Sequence, residues 1–299
     1  MDIRAAGIQH GPGPALRGAH DMQHGKDEPV IEALGEGIPQ LGLGTWRLHG
    51  DALRGAVRAA FDAGCRHFDT ATRYENEAEL GAILRDLGQP RDALFVTTKV
   101  WHTDLAPADF RASAEASLKR LGLDHVDLLL IHWPNADIPL ADTVGALCEV
   151  AERGLTRHIG VANFSPRLLE QAIALADRPI IANQCEYHPR LDQSALLDAC
   201  RRNDVTFVAY SPLGSGGLIG DPAIAEIGRA HDRTPAQVIL RWHMQQGIAA
   251  IPRSSNPDHV RGNFAIFDFQ LSGPEMARLS ALARADGRII SPEWMTSWD

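Results

Sequence analysis

A chain of 299 residues with 44% apolar side chains is long enough for one large α/β domain or two smaller ones, with a full core. Its net charge of −9, from 29 basic and 38 acidic residues without a basic stripe, argues against a nucleic-acid partner. No apolar run approaches the roughly 18 residues of a membrane span, and no apolar leader core is visible near the N-terminus.

Taken in chain order, residues 1–28 are rich in Gly, Pro, His and charge without any period, which predicts a disordered extension. Its His10, His20 and His24 are expected to bind no metal. Residues 29–299 read as one domain, because no linker or shift of composition divides them. Within it, strands are predicted at 41–46, 65–70, 94–99, 126–132, 158–162, 180–185, 205–210 and 248–252. Amphipathic helices are predicted between them at 51–63, 77–87, 107–121, 140–153, 166–175, 194–202 and 235–246. In one of these, Leu168, Leu169, Ala172 and Ile173 share a face at spacings of three and four. Near-continuous apolar strands alternating with helices imply a parallel sheet covered on both sides. Eight such units in about 240 residues fit a closed (β/α)8 (TIM) barrel better than an open sheet.

The four cysteines, Cys65, Cys148, Cys185 and Cys200, fall in apolar or helical runs with no C-x-x-C spacing. They are expected to be small buried apolar groups in a reducing compartment, the cytoplasm. The expected partner is a small molecule, bound by a monomer.

Only three lysines occur beside 26 arginines, and one of them, Lys99, closes an apolar strand. Asp69 closes another and His132 a third, while Tyr74, one of three tyrosines, opens the loop after the second strand. In a TIM barrel, catalytic groups belong at the C-terminal ends of strands, where all of these fall. A carboxylate, a phenol, an ammonium and an imidazole are what a proton donor with a tuned pKa requires. Singly each has a bland reading as packing or a satisfied core group; at successive barrel positions, that reading is hard to sustain jointly.

The local sequences carry a resemblance. Gly42-Leu-Gly-Thr-Trp46, Phe68-Asp-Thr-Ala71, Tyr74-Glu-Asn-Glu77, Thr98-Lys-Val-Trp101, Ile131-His-Trp-Pro134, Gly160-Val-Ala-Asn-Phe164, Asn183-Gln-Cys-Glu-Tyr-His-Pro189, Tyr210-Ser-Pro-Leu-Gly214 and Ile251-Pro-Arg-Ser254 resemble, in order, the signature segments of the aldo-keto reductase family. The ending Ser291-Pro-Glu-Trp-Met-Thr-Ser-Trp-Asp299 resembles the bacterial branch that includes the 2,5-diketo-D-gluconate reductases.

The resemblance implies reduction of aldehydes, dicarbonyls or keto-sugars by hydride transfer from NADPH, with NADH a weaker alternative. Tyr74 would protonate the carbonyl oxygen, Lys99 would lower the phenol's pKa, Asp69 would hold Lys99, and His132 would orient the carbonyl. Asn163 and Gln184 would bind the nicotinamide carboxamide, with Tyr210 stacked on the ring. The family commonly has Ser where Ala162 stands, so one carboxamide hydrogen bond is expected to be missing. Ser211, Leu213 and the following glycines would cover the pyrophosphate, with Thr45 and Ile251 also lining the cofactor groove. Arg253, Ser254 and His259 would face the 2′-phosphate, and Asn263 the adenine. An arginine grips a phosphate bidentately, whereas His259 brings less charge than the family's arginine, so discrimination against NADH should be weakened. Trp46, Trp101 and Trp133 would wall the substrate pocket.

Two other readings compete. A barrel aldolase would use Lys99 as a Schiff-base nucleophile but has no use for Tyr74. A cofactor-sensing module of the same fold would bind the nucleotide without turnover.

Overall fold

The computed structural model describes residues 30–33, 36–295 and 298. The predicted disordered extension with its three histidines lies outside them. A two-stranded antiparallel hairpin, β1 (Val30–Ala33) and β2 (Glu36–Pro39), comes first. The chain then alternates: β3 (Gly42–Gly44), α1 (Gly50–Asp62), β4 (His67–Asp69), α2 (Glu77–Asp86), β5 (Phe95–Val100), α3 (Pro107–Leu121), β6 (Val126–Ile131), α4 (Leu140–Glu152) and β7 (Thr156–Ala162). It continues through α5 (Pro166–Leu175), β8 (Ile180–Glu186), α6 (Ser194–Arg202), β9 (Thr206–Tyr210), α7 (Pro222–Ala230), α8 (Pro235–Gln245), β10 (Ala249–Ala250), α9 (Pro257–Phe264) and α10 (Gly273–Ser280).

β3 to β10 form one parallel sheet in sequence order. It is closed by a parallel bridge from Leu41 to Ala250 and by the Gly44 N–H donating to the Pro252 carbonyl at 3.1 Å. The predicted barrel is therefore observed. Several mouth strands are shorter than predicted, because the chain turns into loops while single ladder bonds persist. Thr45 N–H still donates to Asp69 O at 3.0 Å, and Ile251 N–H to Ala209 O at 3.1 Å. The hairpin, α7, α9 and α10 were not among the predicted elements.

The apolar residues separate into two clusters, as strand alternation requires. Phe95, Leu128, Leu130, Ala162, Val208 and Ala249 fill the lumen, together with Ile38 from the hairpin. Val96, Leu129, Ile131 and Val161, of opposite parity, pack outward against the helices. Each lumen leucine or phenylalanine removed from water contributes about 1.5–3 kcal/mol. Helix starts are marked by proline in the first turn of α3, α5, α7, α8, α9 and α10, where its missing N–H costs nothing. Thr234 and Gln237 form a reciprocal capping box at α8. No helix among the described residues is long and apolar enough to cross a membrane.

Candidate active site

Lumen parity also selects the polar residues at the mouth. Lys99 shares the parity of Phe95, and His132 follows Leu128 and Leu130 at the same alternation. The barrel floor is thus apolar and its upper layer ionisable.

Lys99 is completely buried. Its Nζ donates to Asp69 Oδ1 at 2.5 Å, to the Thr70 carbonyl at 2.9 Å and to the Tyr74 hydroxyl at 3.3 Å. Burial works against this ammonium, but Asp69 and Tyr74 outweigh it and hold its pKa above the usual value. Asp69 accepts a further hydrogen bond on Oδ2 from Gln184 Nε2 at 2.8 Å. A buried ion pair this well bonded is expensive to break from one side.

The Tyr74 pKa departs from the sequence-based expectation. Burial raises it above 10, and the Lys99 charge offsets only part of that rise. Tyr74 is therefore held as a neutral phenol, loaded with a proton, at and well above neutral pH. His132 is held neutral as well: burial first, then the charge of Lys99, push its pKa far below 6.5. Its ring stands edge-on to Tyr74, with centroids 5.7 Å apart, and its buried Nδ1 has no partner.

Two residues that sequence reasoning quoted but gave no role fix the Tyr74 loop. Asn76, fully buried, accepts from Thr70 Oγ1 at 2.7 Å and donates to the carbonyls of Thr45 and Leu48 at 2.8 and 3.0 Å. Glu77, also buried, accepts from Thr98 Oγ1 at 2.6 Å and Arg120 Nε at 2.7 Å. Their signal was a polar triplet placed directly after the catalytic candidate.

On the opposite side, Asn163 Nδ2 donates to the His132 carbonyl at 2.9 Å, and Tyr210 donates its hydroxyl proton to Asn163 Oδ1 at 2.8 Å. Asn163 and Ser211 sit at φ 63° and 48°, left-handed conformations costing on the order of 1–3 kcal/mol each and typical of functional sites. By donor inventory, Asn163 retains one amide N–H, and Gln184 one N–H and its carbonyl. That set suits a primary carboxamide. Thr45 is buried, and its hydroxyl donates to the Asp69 carbonyl at 2.9 Å. Ile251 and Asn263 are buried, and Leu213 is half-buried. Arg253 and His259 are exposed and have no ion-pair or hydrogen-bond partner among the described residues, while Ser254 Oγ accepts from Asn256 N–H at 3.1 Å. Arg253 and His259 thus stand unpaired beside the N-terminus of α9, a setting suited to phosphate.

Trp46 is exposed, Trp101 half-buried and Trp133 buried. They surround the tetrad: Trp46 lies 6.4 Å from Tyr74 and Trp101 5.0 Å from His132, centroid to centroid. The C-terminal tail joins them. Trp294 stacks on His102 at 4.6 Å and 13°, and Trp298 meets Trp133 at 5.8 Å. What pins the tail is Glu186, buried at the end of β8, which accepts the N–H groups of Ile289 and Ile290 at 2.7 and 2.8 Å. Nearby, Arg284 N–H donates to Arg190 O at 3.1 Å, and a Cβ on Gly287 would fall 1.8 Å from that same carbonyl oxygen.

This geometry meets independent comparisons. Residues 34–284 match the model of the Aldo/keto reductase family. The chain belongs to that family. An aldo-keto reductase of Mycolicibacterium smegmatis is 41% identical over 260 residues, spanning 87% of this chain and 94% of the relative. The crystal structure of a candidate 2,5-diketo-D-gluconic acid reductase B is 42% identical with a TM-score of 0.89, covering 91% of this chain and 98% of its own. An aldo-keto reductase complexed with NADPH is 35% identical with a TM-score of 0.84, covering 90% of this chain and 92% of its own. The resemblance drawn from the sequence, bacterial branch included, thus stands.

Proposed function

We propose that this aldo/keto reductase reduces small aldehydes, dicarbonyls or keto-sugars to alcohols with NADPH, using Tyr74 as the general acid. The observation that carries the reading is the Lys99 ammonium, paired with buried Asp69 and placed 3.3 Å from the Tyr74 hydroxyl. When bound, the reduced nicotinamide supplies hydride to the carbonyl carbon. As it does so, charge gathers on the carbonyl oxygen, and Tyr74 delivers its proton there. The phenolate left behind is stabilised by Lys99, whose attraction grows at the moment the charge appears, so the transition state gains more than the ground state. Neutral His132 orients the oxygen by a second hydrogen bond.

Asn163 and Gln184 hold the carboxamide, and because both are bonded into the catalytic side, ring position and proton donor are set by one network. Tyr210 supports the ring, Ser211 and Leu213 line the pyrophosphate path with Thr45 and Ile251, and Arg253, Ser254, His259 and Asn263 take the adenosine 2′-phosphate end. Trp46, Trp101 and Trp133 wall the substrate. We assign all of this to one domain, residues 29–299, acting as a monomer in the cytoplasm, where four buried cysteines outside any disulfide are at home.

The Schiff-base alternative fares worse. A nucleophilic amine needs a free lone pair, whereas Lys99 Nζ is spent on three hydrogen bonds and its pKa is raised. The test is a panel of aldehydes, dicarbonyls and keto-sugars assayed with NADPH and NADH in parallel. Absence of cofactor oxidation with every carbonyl would reject the reading, and a borohydride-trapped adduct on Lys99 would establish its rival.

A further inference from the structure

Outside the barrel, the loop that follows β8 meets helices α6, α8 and α10 around a cavity of about 260 Å³. None of the tetrad, cofactor or substrate residues assigned above lines it. Its buried lining is apolar and aromatic: Leu191, Leu197, Tyr187 and Trp242. The two rings lie 5.0 Å apart at 30°. A water needs only about 10–15 Å³. Ligand pockets begin near about 300 Å³, so this cavity suits an organic molecule of fragment size.

The hydrogen bonds around the cavity consume its donors and leave acceptors. The Tyr187 hydroxyl donates to Gln246 Oε1 at 3.1 Å, and Gln246 Nε2 donates to the Trp242 carbonyl at 3.0 Å. Trp242 Nε1 donates to Ser280 Oγ at 3.2 Å, and that hydroxyl donates to the Met276 carbonyl at 3.0 Å. The phenol oxygen of Tyr187 keeps its capacity to accept. Charge follows the same bias. The guanidinium at the rim, Arg201, is paired with Asp198 at 2.8 Å. Asp192 has no ion-pair partner among the described residues. Its carboxylate accepts the Ser194 N–H at 2.9 Å, and Ser194 holds its pKa below the usual value, so it is ionised. That charge reaches the Tyr187 hydroxyl.

We propose that this cavity is a second binding site, for a small amphipathic ammonium ion whose apolar body lies against Tyr187 and Trp242 and whose N–H group meets the Asp192 carboxylate. Aromatic rings attract such a cation as well as its apolar part. The site is coupled to the barrel mouth, because the two share a wall. The Tyr187 N–H donates to the Tyr210 carbonyl at 3.3 Å, and the preceding residue, Glu186, grips Ile289 and Ile290. Leu191 pairs with Arg284 in a parallel bridge, and Ala283 beside it lines the cavity. A ligand held between this loop and the start of the tail fastens one to the other and favours the closed mouth. By linkage, substrate binding must tighten the ligand in return.

The experiment titrates the full chain by calorimetry with N,N-dimethyl-2-phenylethylamine, a cation at neutral pH that cannot condense with aldehydes, and with neutral 2-phenylethanol. The cation should bind about tenfold tighter, the range of one charge-assisted contact. Asp192→Asn, at an exposed position, should erase that advantage and leave the alcohol unchanged. Ala283→Trp, also at an exposed position, should block the cavity and abolish binding of the cation. With NADPH present, saturating cation should lower KM for a simple aldehyde about fivefold at constant kcat. Equal binding of the two probes would overturn the proposal, as would a cation advantage that survives Asp192→Asn. Binding that persists in Ala283→Trp, or a KM that rises with the cation, would place the probe elsewhere and likewise overturn it. An unchanged KM would overturn the coupling to the mouth. Calorimetry needs no turnover, so an enzyme that reduced no carbonyl would leave the binding result standing and reject the reductase reading alone.

Discussion

Replacing Tyr74 by phenylalanine removes one oxygen and little else. The ring keeps its contacts with Trp46 and His132, whose centroids lie 6.4 and 5.7 Å away. The hydrogen bond lost is the longest of the three on Lys99, at 3.3 Å against 2.5 Å to Asp69 and 2.9 Å to Thr70 O. The ammonium therefore stays paired, and the stability cost should be about 1 kcal/mol or less. Activity behaves differently, because the proton donor is gone and no other acid is in place: His132 is held neutral by burial and Lys99. General acid catalysis contributes about 10²–10⁴-fold, or roughly 3–5 kcal/mol of barrier. The assay is kcat for a simple aldehyde, with NADPH affinity measured by fluorescence titration as the control. NADPH affinity should be nearly unchanged, since all the groups proposed to hold the cofactor except Thr45 come from β7 onward. A Tyr74→Phe enzyme with more than about a tenth of wild-type activity would show that Tyr74 is not the acid.

Lys99→Met should be comparably damaging to turnover and should also destabilise the fold by about 3–5 kcal/mol, because Asp69 is left buried without its cation; an active variant with an unchanged pH profile would make Lys99 purely structural. His259→Arg should tighten NADPH about tenfold or less while leaving NADH unaffected, as only NADPH carries the 2′-phosphate; equal effects on both, in paired titrations, would move His259 away from that phosphate. Stability should fall on acidification. His67, buried in the lumen, has its pKa lowered to about 4, chiefly by burial. Its unfolded form binds a proton below about 6.5, so stability is complete above that pH and is lost progressively down to about 4, by roughly 3 kcal/mol. Urea midpoints across this window should show the loss, and His67→Gln should flatten it.

Much of the fold was legible because α and β periods differ and each barrel strand is buried on both faces. Runs such as Val126–Ile131, all buried, can be mistaken for little else when helices flank them at regular spacing. Helices α3, α5 and α6 fall on their predicted bounds; two of them, α3 and α5, open on a proline, a signal local to the sequence. The hairpin was not legible. Its strands are four residues each, and its Ile38 reaches the lumen only after the barrel closes above it, which no local pattern announces.

The catalytic candidates were legible for a similar reason: a lysine at the end of an apolar strand is rare enough to ask for a partner. What the sequence concealed was the balance of forces on that partner. Placing an ammonium beside a phenol lowers the phenol's pKa if nothing else changes, and from sequence nothing else can be weighed. In the fold, the same walls that bring Lys99 to Tyr74 also remove water from it, and burial wins. The consequence is functional. A tyrosine pulled down towards neutrality would arrive at the substrate partly deprotonated and useless as a donor. On the proposed mechanism, one held up by burial arrives loaded, and Lys99 would then act only as the proton leaves, when the phenolate most needs it. In that proposal burial and the lysine are two parts of one device, the first keeping the proton in the ground state and the second easing its departure in the transition state.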